Sequence, residues 1–324
     1  MKQVFVTRAL PQPGIKMLNI RYKVEVNPYD RVLTKEEIIS GVKDADALVC
    51  LLTDTIDKEI IDSGSNLKII SNYAVGYNNI DVNYATLKGI IVTNTPGVLS
   101  ETTADLAFTL LCATARRIPE GDKFMREGKF SGWAPELMLG TDIHGKTLGL
   151  IGLGRIGMLV AKRALGFDMR VLYHSSSRKP EVEQELGVRY VELDDLLKNS
   201  DFVTLHVPLT SATKGLIGKK ALALMKSTAI LINTSRGEVV NEPALIEALK
   251  EKKIRGAGLD VFWGEPTNVN PELFKLDNAV LAPHMGSASL ETRSKMAEMA
   301  ASAVIDVLVG KRPNHIVNPE VLGA

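Results

Sequence analysis

The chain has little of what would tie it to a metal, a membrane or a nucleic acid. Its 324 residues include two cysteines, Cys50 and Cys112, both in apolar surroundings and neither at metal-ligand spacing. They read as buried thiols of a reducing cytosol, so a cytoplasmic location is expected and neither a disulfide framework nor a metal site is. The formal net charge is +1, which removes any general electrostatic case for nucleic acid or an anionic membrane surface. Apolar runs such as 106–113 fall far short of the roughly 20 residues that span a bilayer. The opening residues MKQVFVTRAL read as a strand and carry neither an apolar leader core nor a small-residue cleavage site. Solenoid-length repeats and low-complexity segments are also missing. What is present is ordinary for a globular protein, with 45% hydrophobic and 24% charged residues. The length suits two domains.

Near the middle stands Gly-Leu-Gly-Arg-Ile-Gly, residues 152–157. Residues 147–151 before it form an apolar run of strand length, and Ile156, Leu159, Val160, Arg163 and Ala164 fall at helical spacing after it. In a strand–turn–helix of this kind Gly152 allows the tight turn, Gly154 lets the backbone approach a pyrophosphate, and Gly157 lets helix and strand pack closely. The free N–H groups at the helix start would hold the phosphate. A dinucleotide site usually opens its own domain, yet about 150 residues precede this one. A separate first domain is therefore expected.

The first 95 residues supply it. Apolar runs at 4–7, 23–26, 47–51, 67–71 and 90–93 alternate with helical stretches at 14–19, 35–42, 57–63 and 81–88. Such alternation implies a parallel sheet with helices on both faces. After Asn94-Thr95-Pro96-Gly97, Ser100 is placed to cap a helix running to about Arg116. A looser stretch at 128–140 contains Trp133 and Pro135. Later strands are expected at 169–173, 202–207, 229–233, 256–260 and 279–282, and a helix capped by Ser289 ends at Gly310. The tail at 315–318 has no sheet partner nearby in sequence and is expected to return to the first domain. The reading is thus α/β: two doubly wound parallel-sheet domains, with a Rossmann nucleotide domain at 100–289 inserted into a flavodoxin-like substrate domain built from 1–99 and 290–324.

An NAD site carries an acidic residue about 20 positions past the glycines, on the ribose hydroxyls. Here that position holds His174, followed by Ser175, Ser176, Ser177, Arg178 and Lys179. Hydroxyls and cations suit a 2′-phosphate, which a carboxylate would repel. NADP(H) is therefore the expected cofactor, with NAD(H) as the alternative.

Three further segments join an apolar strand to a reactive side chain: Arg236 in AILINTSRG, Glu265 in AGLDVFWGEP and His284 in AVLAPHMGS. Ligands of doubly wound sheets bind at the carboxyl ends of strands, so the three should converge at one edge. The guanidinium fork can take two oxygens of a 2-keto acid and polarise its carbonyl. Hydride addition leaves an alkoxide, for which His284 is a suitable proton donor. A carboxylate at Glu265 would favour the protonated ring and orient it. Of the other histidines, His144 precedes the motif strand, His206 lies in a strand run, His174 is at the cofactor loop and His315 is in the tail.

These residues resemble the D-isomer-specific 2-hydroxyacid dehydrogenases along nearly the whole chain, through SNYAVGYNNID, NTPGVLSETTADLAFTLL, GKTLGLIGLGRIG, LHVPLT, ILINTSRGEVVNEPALIEAL, GAGLDVFWGEP and LAPHMGSAS. The resemblance implies that Arg236, Glu265 and His284 are the catalytic Arg, Glu and His. It implies that the backbone of Val75 and Gly76, with Arg236 and His284, binds substrate. It further implies that Thr103, Gly152, Gly154, Arg155, Ile156, Gly157, Ser175, Ser176, Arg178, Thr234, Ser235, Asp260 and Gly286 line the cofactor. Within the family the chain looks most like glyoxylate and hydroxypyruvate reductases, so the implied reaction is NADPH-dependent reduction of a small 2-keto acid to the D-2-hydroxy acid. Position 176 departs from such members, which carry a basic residue there. 2-Ketogluconate or another D-2-hydroxyacid is an alternative substrate. Phosphite dehydrogenases share the Arg-Glu-His set, and some relatives are nucleotide-sensing corepressors. Formate dehydrogenases have Gln where Glu265 stands, and phosphoglycerate dehydrogenases often add a regulatory domain. A homodimer is implied, in which Trp133 either packs within the interface or reaches the partner's active site.

Overall fold

The computed structural model describes residues 1–323. The chain folds as two compact units, Met1–Leu99 together with the segment from Ser287 onward, and Ser100–Gly286.

In the first unit, five parallel strands are separated by helices: β1 (Gln3–Val6), α1 (Gln12–Asn19), β2 (Lys23–Val26), α2 (Lys35–Val42), β3 (Ala47–Cys50), α3 (Lys58–Ser63), β4 (Ile69–Asn72), α4 (Val82–Leu87) and β5 (Ile91–Thr93). The sheet order β2-β1-β3-β4-β5 is the flavodoxin-like order. Burial follows from it. The inner strands β3 and β4 are buried at every residue, and the edge strand β2 exposes Lys23 and Glu25. Helix starts are fixed by short polar side chains: Thr34 and Glu37 form a reciprocal capping box, and Asp57 and Asp81 each accept an N–H of the first turn.

The second unit contains α5 (Ser100–Ala115), α6 (Ile118–Arg126), β6 (Thr147–Ile151), α7 (Arg155–Leu165), β7 (Arg170–His174), α8 (Pro180–Leu186), β8 (Arg189–Tyr190), α9 (Leu193–Asn199), β9 (Phe202–Leu205), α10 (Lys219–Leu224), β10 (Ile230–Asn233), α11 (Glu242–Lys250), β11 (Gly256–Leu259) and β12 (Ala279–Leu281). Its seven parallel strands run β12-β11-β10-β9-β6-β7-β8. Counted within the unit this is the Rossmann order with one strand added, and the order reverses beside β6, the strand that leads into the glycine turn. The sheet is covered on both faces. One layer of side chains includes Leu196, Leu205, Leu231 and Leu249, the other Leu110, Leu148, Val160 and Ile232.

The last helix, α12 (Leu290–Leu308), is capped by Ser289, whose hydroxyl accepts the Thr292 N–H, and it packs in the first unit. Beyond Gly310 the tail joins that unit's sheet edge. Ile316 pairs antiparallel with Thr93. Buried Asn318 accepts the Val92 N–H at 2.8 Å and donates to Ile90 O and Thr86 Oγ1, each at 2.9 Å. Three details differ from expectation. Ser100 is the first helical residue of α5 rather than its cap. Helix α6 was not expected, and none of its residues is buried. The two-residue strand β8 is too short to show a period.

Candidate active site

The turn after β6 fits a dinucleotide phosphate. Gly152 has φ +98°, and a Cβ on it would stand 2.5 Å from His206 O. A Cβ on Gly157 would strike Gly152 O, whereas one on Gly154 would meet nothing within 4 Å. Gly152 and Gly157 are demanded by close packing, and Gly154 leaves the backbone open to a ligand. Gly154 begins α7 with no side-chain cap, and no acidic residue lies in the first turn. Free N–H groups and the positive dipole end therefore face an anion unopposed. Arg155 is exposed there, and Ile156 packs into the core. His206, after β9, pairs through Nε2 with Thr204 Oγ1 at 3.0 Å. Desolvation pushes its imidazole down to about 3, which favours the neutral ring.

The loop after β7 carries no carboxylate from His174 to Lys179, but its cation is not free. Arg178 donates through Nε and Nη2 to both oxygens of Glu183, at 2.8 and 2.7 Å. Tyr173, fully buried at the end of β7, donates its hydroxyl to Glu183 Oε1 at 2.7 Å and accepts the Lys179 N–H at 2.8 Å. Arg178 and then Tyr173 hold the Glu183 carboxyl down at about 2. Ser175 Oγ donates to Ser177 O at 2.6 Å, and Ser176 is exposed.

Arg236, Glu265 and His284 follow the adjacent strands β10, β11 and β12. Glu265 Oε1 and His284 Nδ1 are 2.6 Å apart, and Glu265 Oε2 accepts the Phe262 N–H at 3.1 Å. With Nδ1 bound to the carboxylate, the ring's other nitrogen is left for a ligand. The Arg236 guanidinium makes one hydrogen bond, from Nη1 to Ser235 O at 2.7 Å, and no ion pair among the described residues. Desolvation lowers its pKa, with the charges of Glu265 and Glu238 acting in the opposite direction. A desolvated guanidinium without a carboxylate partner calls for an anion.

The backbone around these side chains makes contacts that the sequence reading did not give, through Asn233 and Gly237 among others. Asn233, the last residue of β10, accepts the Ser235 N–H and hydroxyl through Oδ1 and donates to Arg236 O, tying the turn that carries Arg236. Gly237 lies so close to the Phe262 carbonyl that a Cβ would overlap it. This contact joins the Arg236 turn to the loop carrying Glu265. His284 adopts φ +51°, a left-handed conformation uncommon for a non-glycine residue. Its N–H donates to Asp260 O at 3.0 Å, while the Asp260 carboxylate accepts Met285 N at 2.7 Å and Gly286 N at 2.9 Å. Burial pushes Asp260 up to about 6. Thr103 meets the same knot, within 3.5 Å of where a Gly286 Cβ would stand. Thr234 has a buried hydroxyl with no protein partner, an unmet group of the kind a bound ligand satisfies.

In the first unit, Asn94 Nδ2 donates to Val75 O at 2.7 Å and Asn72 Nδ2 to Gly76 O at 2.8 Å. The carbonyls are pinned, and the two N–H groups have no partner among the described residues. This part of the loop is thus a pair of positioned, unused donors.

Comparison with known proteins gives the family of the chain. Residues 108–286 match the model of the D-isomer specific 2-hydroxyacid dehydrogenase NAD binding domain. The chain is 54% identical over 321 residues to glyoxylate reductase of Korarchaeum cryptofilum, covering 99% of this chain and 97% of that one. It belongs to the D-isomer-specific 2-hydroxyacid dehydrogenase family. As a member it is an NAD(P)-dependent oxidoreductase acting on CH–OH groups. A crystal structure of a Thermus thermophilus protein superposes with a TM-score of 0.93 at 46% identity, covering 97% of this chain and 99% of that one. The NADPH-dependent glyoxylate/hydroxypyruvate reductase of Sinorhizobium meliloti, solved with NADP and malonate, superposes at 0.85 with 30% identity, covering 98% and 96%. No helix among the described residues is long and apolar enough to cross a membrane.

Proposed function

We propose that this enzyme reduces a small 2-keto acid, glyoxylate or hydroxypyruvate first, to the D-2-hydroxy acid with NADPH. The observation that carries the reading is the 2.6 Å Glu265–His284 pair with a desolvated, unpaired Arg236 on the neighbouring strand end. The bound cofactor supplies a hydride to the carbonyl carbon. The amides around Gly154 would hold its pyrophosphate, and Thr103, Arg155, Ile156, Thr234, Ser235 and Asp260 would line the cofactor. Arg236 binds the keto acid and polarises its carbonyl. The Val75 and Gly76 amides take the carboxylate. Protonated His284, held by Glu265 at Nδ1, gives the proton at Nε2 to the nascent alkoxide, a contribution of roughly 10²–10⁴-fold.

NADPH is supported by the lack of a carboxylate on residues 174–179, by Arg178, and by the likeness to the S. meliloti NADPH-dependent enzyme. Glyoxylate, hydroxypyruvate, pyruvate and 2-ketogluconate, each assayed with NADPH and with NADH by loss of reduced-nicotinamide absorbance, test the reading. Turnover of the two smaller acids is expected, faster with NADPH. Tight cofactor binding without turnover of any of these keto acids would overturn this choice of substrate.

The active form is proposed to be a homodimer. Helix α6 and the following stretch expose Ile118 (60%), Met125 (57%), Trp133 (83%) and Leu139 (58%), an apolar set that a second copy would cover. Light scattering should give twice the chain mass for the wild type and one chain mass for the Ile118→Glu/Trp133→Glu variant. A wild-type monomer at micromolar concentration would end the proposal.

A further inference from the structure

The loop that meets the adenosine ribose carries a carboxylate that the proposed reaction does not use. Glu183 lies on α8, outside the 174–179 segment in which an NAD site keeps its acidic residue. Its side chain nevertheless occupies that loop. It grips Arg178 through two parallel hydrogen bonds, from Nε and Nη2, the strong side-on arrangement of guanidinium and carboxylate. Three facts distinguish this from a wandering surface pair. The Glu183 side chain is 15% exposed, against 63% for Arg178. Its Oε1 is also held by the hydroxyl of Tyr173, a fully buried residue of the sheet. That same hydroxyl accepts the N–H of Lys179, which fixes the loop's exit. The carboxylate is thus bolted to the core, and Arg178 is bolted to the carboxylate. Nη1 is the guanidinium nitrogen that has no partner among the described residues.

We propose that Glu183 is a specificity-determining residue, offsetting the charge of Arg178 and so holding down the enzyme's preference for NADP(H) over NAD(H). A 2′-phosphate arriving at this loop meets an arginine whose charge is already compensated, together with a fixed negative charge behind it. NAD(H), with a neutral ribose hydroxyl there, feels neither effect. Ser175 adds to this restraint, since its hydroxyl proton is spent on Ser177 O. Glu183 stays ionised throughout the working range because Arg178 and Tyr173 stabilise its charged form. The proposal rests on the loop being the 2′-phosphate site, as in the NADPH reading above.

The test is Glu183→Gln, which removes the charge at nearly constant shape on a helix that buries none of its residues. Dissociation constants for NADP⁺ and NAD⁺ are measured by calorimetry on wild type and variant, alongside kcat/KM for NADPH and NADH. Removing one charge a few ångströms from a phosphate in a solvated loop is expected to tighten NADP⁺ binding about three- to tenfold. NAD⁺ should change less than about twofold, and the gain should shrink in high salt. A ratio that stays put, a loss of NADP⁺ affinity, or an equal change for both cofactors would each overturn the proposal. The last two would mean that Glu183 only orients Arg178 or only supports the loop. Wild type favouring NAD⁺ would sink the NADPH reading without touching this one, because the change in ratio on removing Glu183 is what is read.

Discussion

Two arginines stand past strand ends of the same sheet, and they are prepared in opposite ways. Arg236, after β10, is desolvated and lacks an ion-pair partner, its one hydrogen bond going to a main-chain carbonyl. Arg178, after β7, is exposed and paired side-on with Glu183 through Nε and Nη2. A partly buried cation kept without an ion-pair partner among the described residues costs stability, and on the proposed reading an anion that arrives with the substrate offsets that cost. An exposed, compensated cation costs little and can only tune. On the proposed reading the first arginine belongs to the chemistry and the second to the choice of cofactor.

That contrast sets the expected effects. The largest falls on the proton donor beside Arg236. His284→Asn suits the test better than Ala, since Asn tolerates the φ of +51° at this position. It should lower kcat about 10³-fold with cofactor Kd unchanged. Retention of more than a tenth of the activity would remove His284 from the proposed mechanism. The arginines are next compared directly. Arg236→Lys should cost about 10²-fold in kcat/KM with either cofactor, because a point charge cannot replace the fork. Arg178→Ala should cost about tenfold with NADPH alone. If both substitutions discriminate between cofactors, or neither does, the contrast is broken.

Much of the architecture was legible because periodicity and strand-end chemistry are local signals. The Lys35–Val42 helix and the Lys23–Val26 strand lie where pattern and caps place them. Arg236, Glu265 and His284 could each be seen to follow an apolar run. The contacts that were not legible depend on what the fold brings together. Glu183 is five residues from Arg178, and only the buried Tyr173 hydroxyl aims it at the loop. Asp260 and the Met285–Gly286 amides are 25 and 26 residues apart, and no period links a carboxylate to N–H groups on the next strand's turn. Helix α6 was not legible either, and none of its residues is buried.

The close approach of Gly237 to the Phe262 carbonyl has a mechanical consequence. Two segments about 25 residues apart in the chain touch through main chain alone, with no side chain as spacer. The Arg236 turn and the Glu265 loop therefore behave as one plate, whose dimensions are fixed by atoms that mutation leaves in place. Over generations, substitution can change which groups stand on that plate far more readily than how far apart they stand. New substrates would then be reached by swapping side chains at its rim, with the distance between its working parts inherited intact.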